Sequence, residues 1–126
     1  MNITEDYVSF EVAKLLKEKG FDTFKSYGWD EELFDKEHPR NFSLGFDSKE
    51  HWISCPTHQM AMKWLREVYG LHIWVEYSRF DFNKEYPYLW NIVETIINGV
   101  YWGGTYHKSH EEAVEAALKY SLKNLI

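Results

Sequence analysis

The chain has 126 residues, 20 acidic against 14 basic side chains for a net charge of -6, and 18% aromatic residues including six tryptophans. That length suits one domain that buries roughly two-thirds of its unfolded-chain surface. It contains no stretch near the ~20 apolar residues of a bilayer-crossing helix. The opening MNITEDYVSF is too acidic and polar for a secretory signal, and a single cysteine excludes an internal disulfide and fits a reducing cytoplasm. No basic run occurs, so affinity for nucleic acid, which grows with the phosphates neutralised, should be weak. The aromatic excess points either to an interface or to an aromatic-rich core.

Residues 4–19 read as a first helix. Val8, Val12, Leu15 and Leu16 share one face, Thr4 or Ser9 supplies the cap, and Lys17 and Lys19 sit near the negative end. Gly20-Phe21 is its stop signal. Residues 22–53 carry Phe24, Tyr27, Trp29, Phe34, Phe42, Phe46 and Trp52 among charges, glycines and Pro39. They read as loops with one short strand over residues 42–46. They are too aromatic for a disordered linker and should pack as a lid.

The stretch at residues 55–77 organises the rest of the chain. Pro56 and Thr57 open a second helix, with Met60, Ala61, Trp64, Leu65 and Val68 as its apolar stripe and Gln59, Lys63, Arg66 and Glu67 opposite. Gly70 ends it. From Leu71 the period drops to two: Leu71, Ile73, Val75 and Tyr77 alternate with His72, Trp74, Glu76 and Ser78. A turn at residues 83–85 leads to a second strand over residues 88–97, with Pro87 tolerated at its start. Asn98-Gly99 predicts a two-residue type I′ turn into a third strand, residues 100–106, where Gly103-Gly104 marks a bulge or a close backbone approach. Ser109 and Glu112 form a capping box for the last helix, whose buried face is Val114, Ala117, Leu118, Ser121 and Leu125.

The expected fold class is α+β, a three- or four-stranded antiparallel sheet with three helices ordered α…α-β-β-β-α. Residues 1–53 are a helix plus an aromatic covering segment, and residues 54–126 the α-β-β-β-α unit of the same domain. Short connections favour strand order 1-2-3. A two-residue turn sets Ile97 opposite Val100, Thr95 opposite Trp102 and Asn91 opposite Tyr106. Leu89, Val93, Trp102 and Tyr106 then share one face, and Tyr88, Trp90, Ile92 and Tyr101 the other. Both faces are apolar, and two helices cover only one. The second calls for cover from the N-terminal residues or from another chain.

Three segments, YVSFEVAKLLKEKGF, PTHQMAMKWLREVYGLHI and EEAVEAALKYSLKNLI, resemble a family of small uncharacterised proteins of gut-dwelling bacteria, their prophages and their mobile elements. The resemblance spans nearly the whole chain and is faintest between the first two segments. It implies a setting rather than a reaction. The α-β-β-β-α order is also similar to the double-stranded-RNA-binding fold and to HicB-type antitoxins, a likeness of topology that does not carry function.

Cys55 with His58 forms C-x-x-H, and His107 with His110 forms H-x-x-H. These four would suit zinc if the start of the second helix met the start of the third; scattered histidines are the plainer account. A nucleophilic Cys55 would need His58 beside it, whereas a lone cysteine is usually a small buried apolar group. Gly103-Gly104-Thr105 lacks the lysine of a phosphate loop. The RNA-binding resemblance implies lysines at the start of the last helix, where this chain has Glu111 and Glu112 with Lys108 alone in support. No catalytic residue and no cofactor emerges. The residues left as a binding surface are His72, Trp74, Glu76, Arg79, Tyr88 and Trp90. The resulting expectation is a non-catalytic, cytoplasmic protein-interaction module, an accessory of a phage or mobile element, that binds a protein partner or forms a homodimer without membrane or nucleic acid. The alternatives are an antitoxin-like or RNA-associated regulator and a small metal-dependent enzyme.

Overall fold

A computed structural model describes residues 3–32, 35–43, 49–78, 84–97 and 99–126. The chain forms two compact units, Met1–His58 and Gln59–Ile126. Its described residues hold three α-helices and two three-stranded antiparallel sheets, which makes the fold α+β. None of these helices is long and apolar enough to cross a membrane.

In the first unit, α1 (Phe10–Glu18) begins at Ser9, whose hydroxyl accepts the Val12 N–H at 3.2 Å. It starts later than the periodicity predicts, because the preceding residues are committed to a strand-like contact. Tyr7 bridges Thr57, and the Val8 N–H donates to the Pro56 carbonyl at 3.1 Å. The helix ends in a Schellman motif: Phe21 N–H reaches the Leu16 carbonyl at 2.9 Å and Gly20 N–H the Lys17 carbonyl at 3.2 Å, with Gly20 at φ +99°.

The segment that reads as loops carries a second sheet instead. Strands β1 (Tyr27–Asp30), β2 (Arg40–Asn41) and β3 (Trp52–Ser54) pair in the order β2-β1-β3. A Cβ at Gly28 would overlap the Ile53 carbonyl, so this glycine permits the close approach of β1 and β3. The aromatics pack edge to face, Trp29 on Phe10 at 5.5 Å and Phe42 on both Phe24 and Trp52 at 5.3 and 5.1 Å. The short strand expected over residues 42–46 lies for the most part outside the described residues; the strand described nearby is Arg40–Asn41. Phe34 and Phe46 lie outside the described residues.

In the second unit, α2 (His58–Tyr69) buries Ala61 and Leu65. Met60 and Val68, assigned to the same stripe, are exposed. Gly70 at φ +67° closes the helix and β4 (Leu71–Tyr77) follows at once. Strands β5 (Tyr88–Glu94) and β6 (Tyr101–His107) complete a meander of order β4-β5-β6. Helix α3 (His110–Tyr120) opens at Ser109, which accepts the Glu112 N–H at 3.1 Å, and runs on into a π-turn at Ser121–Leu125. It buries Ala113, Val114, Ala117, Leu118 and Leu122.

The two-residue hairpin does not form. The chain leaves β5 after Glu94 and rejoins at Tyr101, with Val93 opposite Tyr101 and Ile92 opposite Trp102; Asn98 itself lies outside the described residues. The cause is tertiary. Thr95 donates both its N–H (2.8 Å) and its hydroxyl (3.0 Å) to the Gly70 carbonyl, and the Glu94 carboxylate takes the N–H groups of Ile96 and Ile97. Those bonds fix Thr95 to the α2–β4 junction and cap the loop, and a tight turn would forfeit them. Up to Gly103 the register moves by three residues, an odd number, so this part of β6 turns over relative to the expected pairing; beyond the bulge, where Leu89 faces Tyr106, it moves by two and the expected face is kept. Trp102 joins Trp90 and Ile92 and Tyr101 joins Leu89 and Val93, the reverse of the expectation, while Tyr106 stays with Leu89 as expected. The glycine pair marks a bulge as expected: Gly104 and Thr105 both sit opposite Trp90, whose indole fills the space a Cβ on Gly104 would need.

Candidate binding face

The β4-β5-β6 sheet has two unlike faces. Leu71, Ile73, Trp90 and Ile92 line the buried one. Trp90 is 6% exposed. Its ring lies 5.3 Å from that of Tyr120 on α3, and its indole N–H donates to the Thr105 hydroxyl at 3.3 Å. Tyr88 is on the same side, its ring edge-on to His110 at 6.2 Å. Tyr88 and Trp90 therefore do not belong to a common surface with His72, Trp74 and Glu76: strand alternation sends them to the helix side, and Trp90 is core. A charge introduced at Trp90 would strike that core rather than an interface. Arg79 lies outside the described residues.

His72, Trp74 and Glu76 share the other face with Asn91 of β5 and Tyr101 of β6. His72, Glu76, Tyr101 and Tyr106 are exposed there and Trp74 is half-buried. His72 stacks on Trp74 with centroids 5.8 Å apart and planes 28° apart, and Trp74 meets Tyr101 at 6.0 Å. These rings form a row across the sheet. Beneath it lies Asn91, fully buried although it points to the open side. Its amide nitrogen donates to Glu76 Oε1 at 3.2 Å, and its amide oxygen accepts from the Tyr101 hydroxyl. Glu76 Oε1 also accepts from the Trp74 indole at 3.1 Å. Both bonds fall on one carboxylate oxygen, so Oε2 retains its accepting capacity. Gly103 lets the Tyr101 ring lie flat along β6, since a Cβ there would stand 3.3 Å from the tyrosine hydroxyl.

Rings held by a satisfied buried amide keep their orientation before anything binds. Neither Asn91 nor Tyr101 stood out in the sequence as part of this surface. Tyr101 was hidden by the hairpin register. Asn91 did leave a signal, a carboxamide in the middle of the apolar run Leu89-Trp90-Asn91-Ile92-Val93.

The metal-ligand candidates have other occupations. Cys55 is buried and its thiol donates to the Val8 carbonyl at 3.5 Å. His58 is buried at the start of α2 with its N–H on the Asp6 carbonyl at 2.8 Å. His107 Nε2 lies 2.8 Å from the Thr105 hydroxyl, and His110 packs on Tyr88. Among the described residues no group of three or more His, Cys, Asp or Glu side chains is placed to hold a metal ion. Comparison of the chain with protein-family models, with curated proteins and with solved structures finds no match, and the functional reading rests on this face.

Proposed function

We propose that the chain is a non-catalytic protein-interaction module whose contact surface is the open face of β4-β5-β6. It acts in the cytoplasm as an accessory of a phage or mobile element. The observation that carries this reading is the preorganised row of His72, Trp74 and Tyr101 over the Asn91–Glu76 pair. Large rigid rings supply contact area at small entropic cost, and a patch of this kind on an otherwise charged chain is characteristic of a binding site. The chemistry favours a partner with basic side chains. An ammonium or guanidinium over Trp74 or Tyr101 gains a cation–π contact and reaches the second oxygen of Glu76.

The test is a comparison of proteins captured from a phage-infected host lysate by the native chain and by Trp74→Ala and Tyr101→Ala. A specific protein retained by the native chain and lost by both variants is the expected result. Tyr101 lies on β6 and Trp74 two strands away on β4, so their shared loss marks the face rather than one contact. Identical captured sets from all three would refute the reading.

A further inference from the structure

We infer that the edge of β4 with no partner strand among the described residues pairs with the same edge of a second copy of the chain, antiparallel and centred on Trp74, which joins two three-stranded sheets into one of six strands. The inference does not rest on the protein-binding reading of the open face, because it concerns the strand's edge and not the rings above it.

Two backbone bonds bracket the β4–β5 ladder, Thr95 N–H to the Gly70 carbonyl and Ser78 N–H to the Pro87 carbonyl. They fix its alternation. His72, Trp74 and Glu76 turn their backbone groups toward β5, so Leu71, Ile73, Val75 and Tyr77 direct theirs to the unpaired edge. A groove of about 300 Å³ runs beside that edge, lined by Met62 and Arg66 of α2, Ile73 and Val75 of β4, and His110 and Val114 of α3. Edge strands are normally blunted by lysine, proline, a bulge or short length. The opposite edge, β6, has its bulge at Gly104-Thr105. Strand β4 has seven residues, LHIWVEY, with none of these devices.

The strand is also complementary to itself. Read in either direction from Trp74 it runs β-branched, ionisable, apolar: Val75, Glu76, Tyr77 one way and Ile73, His72, Leu71 the other. Antiparallel pairing centred there makes hydrogen-bonded pairs of Ile73 with Val75 and of Leu71 with Tyr77, as the outward groups require. Trp74 then meets its own copy in a non-hydrogen-bonded pair, the closer kind, where aromatic pairs are most favourable. His72 of each chain faces Glu76 of the other, and Glu76 has an oxygen still able to accept. Displacing the register by two residues one way would set His72 against Trp74 and Glu76 against Gly70, and the other way Trp74 against Glu76 and His72 against Ser78, so either loses the His72–Glu76 pairs.

Sedimentation equilibrium of the full chain tests this. The expected result is a species of two 15.2 kDa chains. Val75→Pro removes an outward N–H while keeping the β5 ladder, and should give a monomer with an unchanged circular dichroism spectrum; Val75→Thr should remain a dimer. His72→Glu faces carboxylate with carboxylate at two places and should weaken association roughly tenfold, as should Glu76→Lys. An equimolar mixture of those two variants should recover the dimer, because the new carboxylate then opposes the new ammonium. Should Val75→Pro fail to fold, the charge variants and their mixture decide alone. A monomer at every concentration, a dimer indifferent to these changes, or a mixture that fails to recover it would overturn the proposal. Tyr101→Ala lies away from the edge and should stay dimeric, so loss of partner capture and loss of dimer are separable.

Discussion

Asn91 carries the arrangement of the open face at the scale of one residue. A fully buried carboxamide on the central strand costs desolvation unless its groups are bonded, and here Glu76 and Tyr101 take both ends. Asn91→Ala leaves the tyrosine hydroxyl without its acceptor and Glu76 with one donor fewer, and opens a cavity under Trp74. A loss of about 1–3 kcal/mol is expected, read as a lower denaturant midpoint at unchanged slope. Asn91→Asp is the sharper probe. It nearly preserves volume but sets a second carboxylate against Glu76, and like charges raise the pKa of one member of such a pair. The folded state then binds protons more readily than the unfolded one, so the deficit should shrink as pH falls through the carboxylate range. A deficit that grows on acidification, or none at neutral pH, would show that Asn91 and Glu76 are not in contact.

At the scale of elements, legibility followed the range of the interaction that decides each feature. The cap of α3 at Ser109, the stop at Gly70 and the switch to β4 depend on neighbours within four residues, and all were readable. The β5–β6 register was not, because Asn98-Gly99 is a strong local turn signal that is outweighed by bonds from Thr95 to Gly70, 25 residues away. Strands β1, β2 and β3 are two to four residues long, too short for any period to show. That competition can be measured. Glu94→Ala removes the acceptor shared by the N–H groups of Ile96 and Ile97. It should cost about 1–2 kcal/mol and speed amide exchange around residues 95–97 while α3 keeps its protection. Unchanged exchange there would mean that the carboxylate does not hold the loop.

Across the whole molecule, composition announced an aromatic excess without saying where it lies. Trp29, Trp52 and Trp90 are core, while Tyr7, Tyr77, Tyr86, Tyr101 and Tyr106 are exposed, as suits a ring with a polar tip. An aromatic core and exposed rings are therefore both present, and the exposed rings include Tyr101 of the proposed binding face. Charge sets what that face can meet. With a net charge of -6 and Glu111 and Glu112 in the first turn of α3, the charge balance opposes rather than attracts phosphate. Stacking rings bind single strands only when cations track the backbone beside them, and His72 and Glu76 supply no such track. Filter retention of single- and double-stranded RNA should accordingly be slight and indifferent to salt between low and physiological ionic strength. Retention that falls linearly with the logarithm of salt concentration is the signature of released counterions. Its appearance would move the reading from a protein-binding module to an RNA-associated regulator, and Trp74→Ala would then show whether the same rings are responsible.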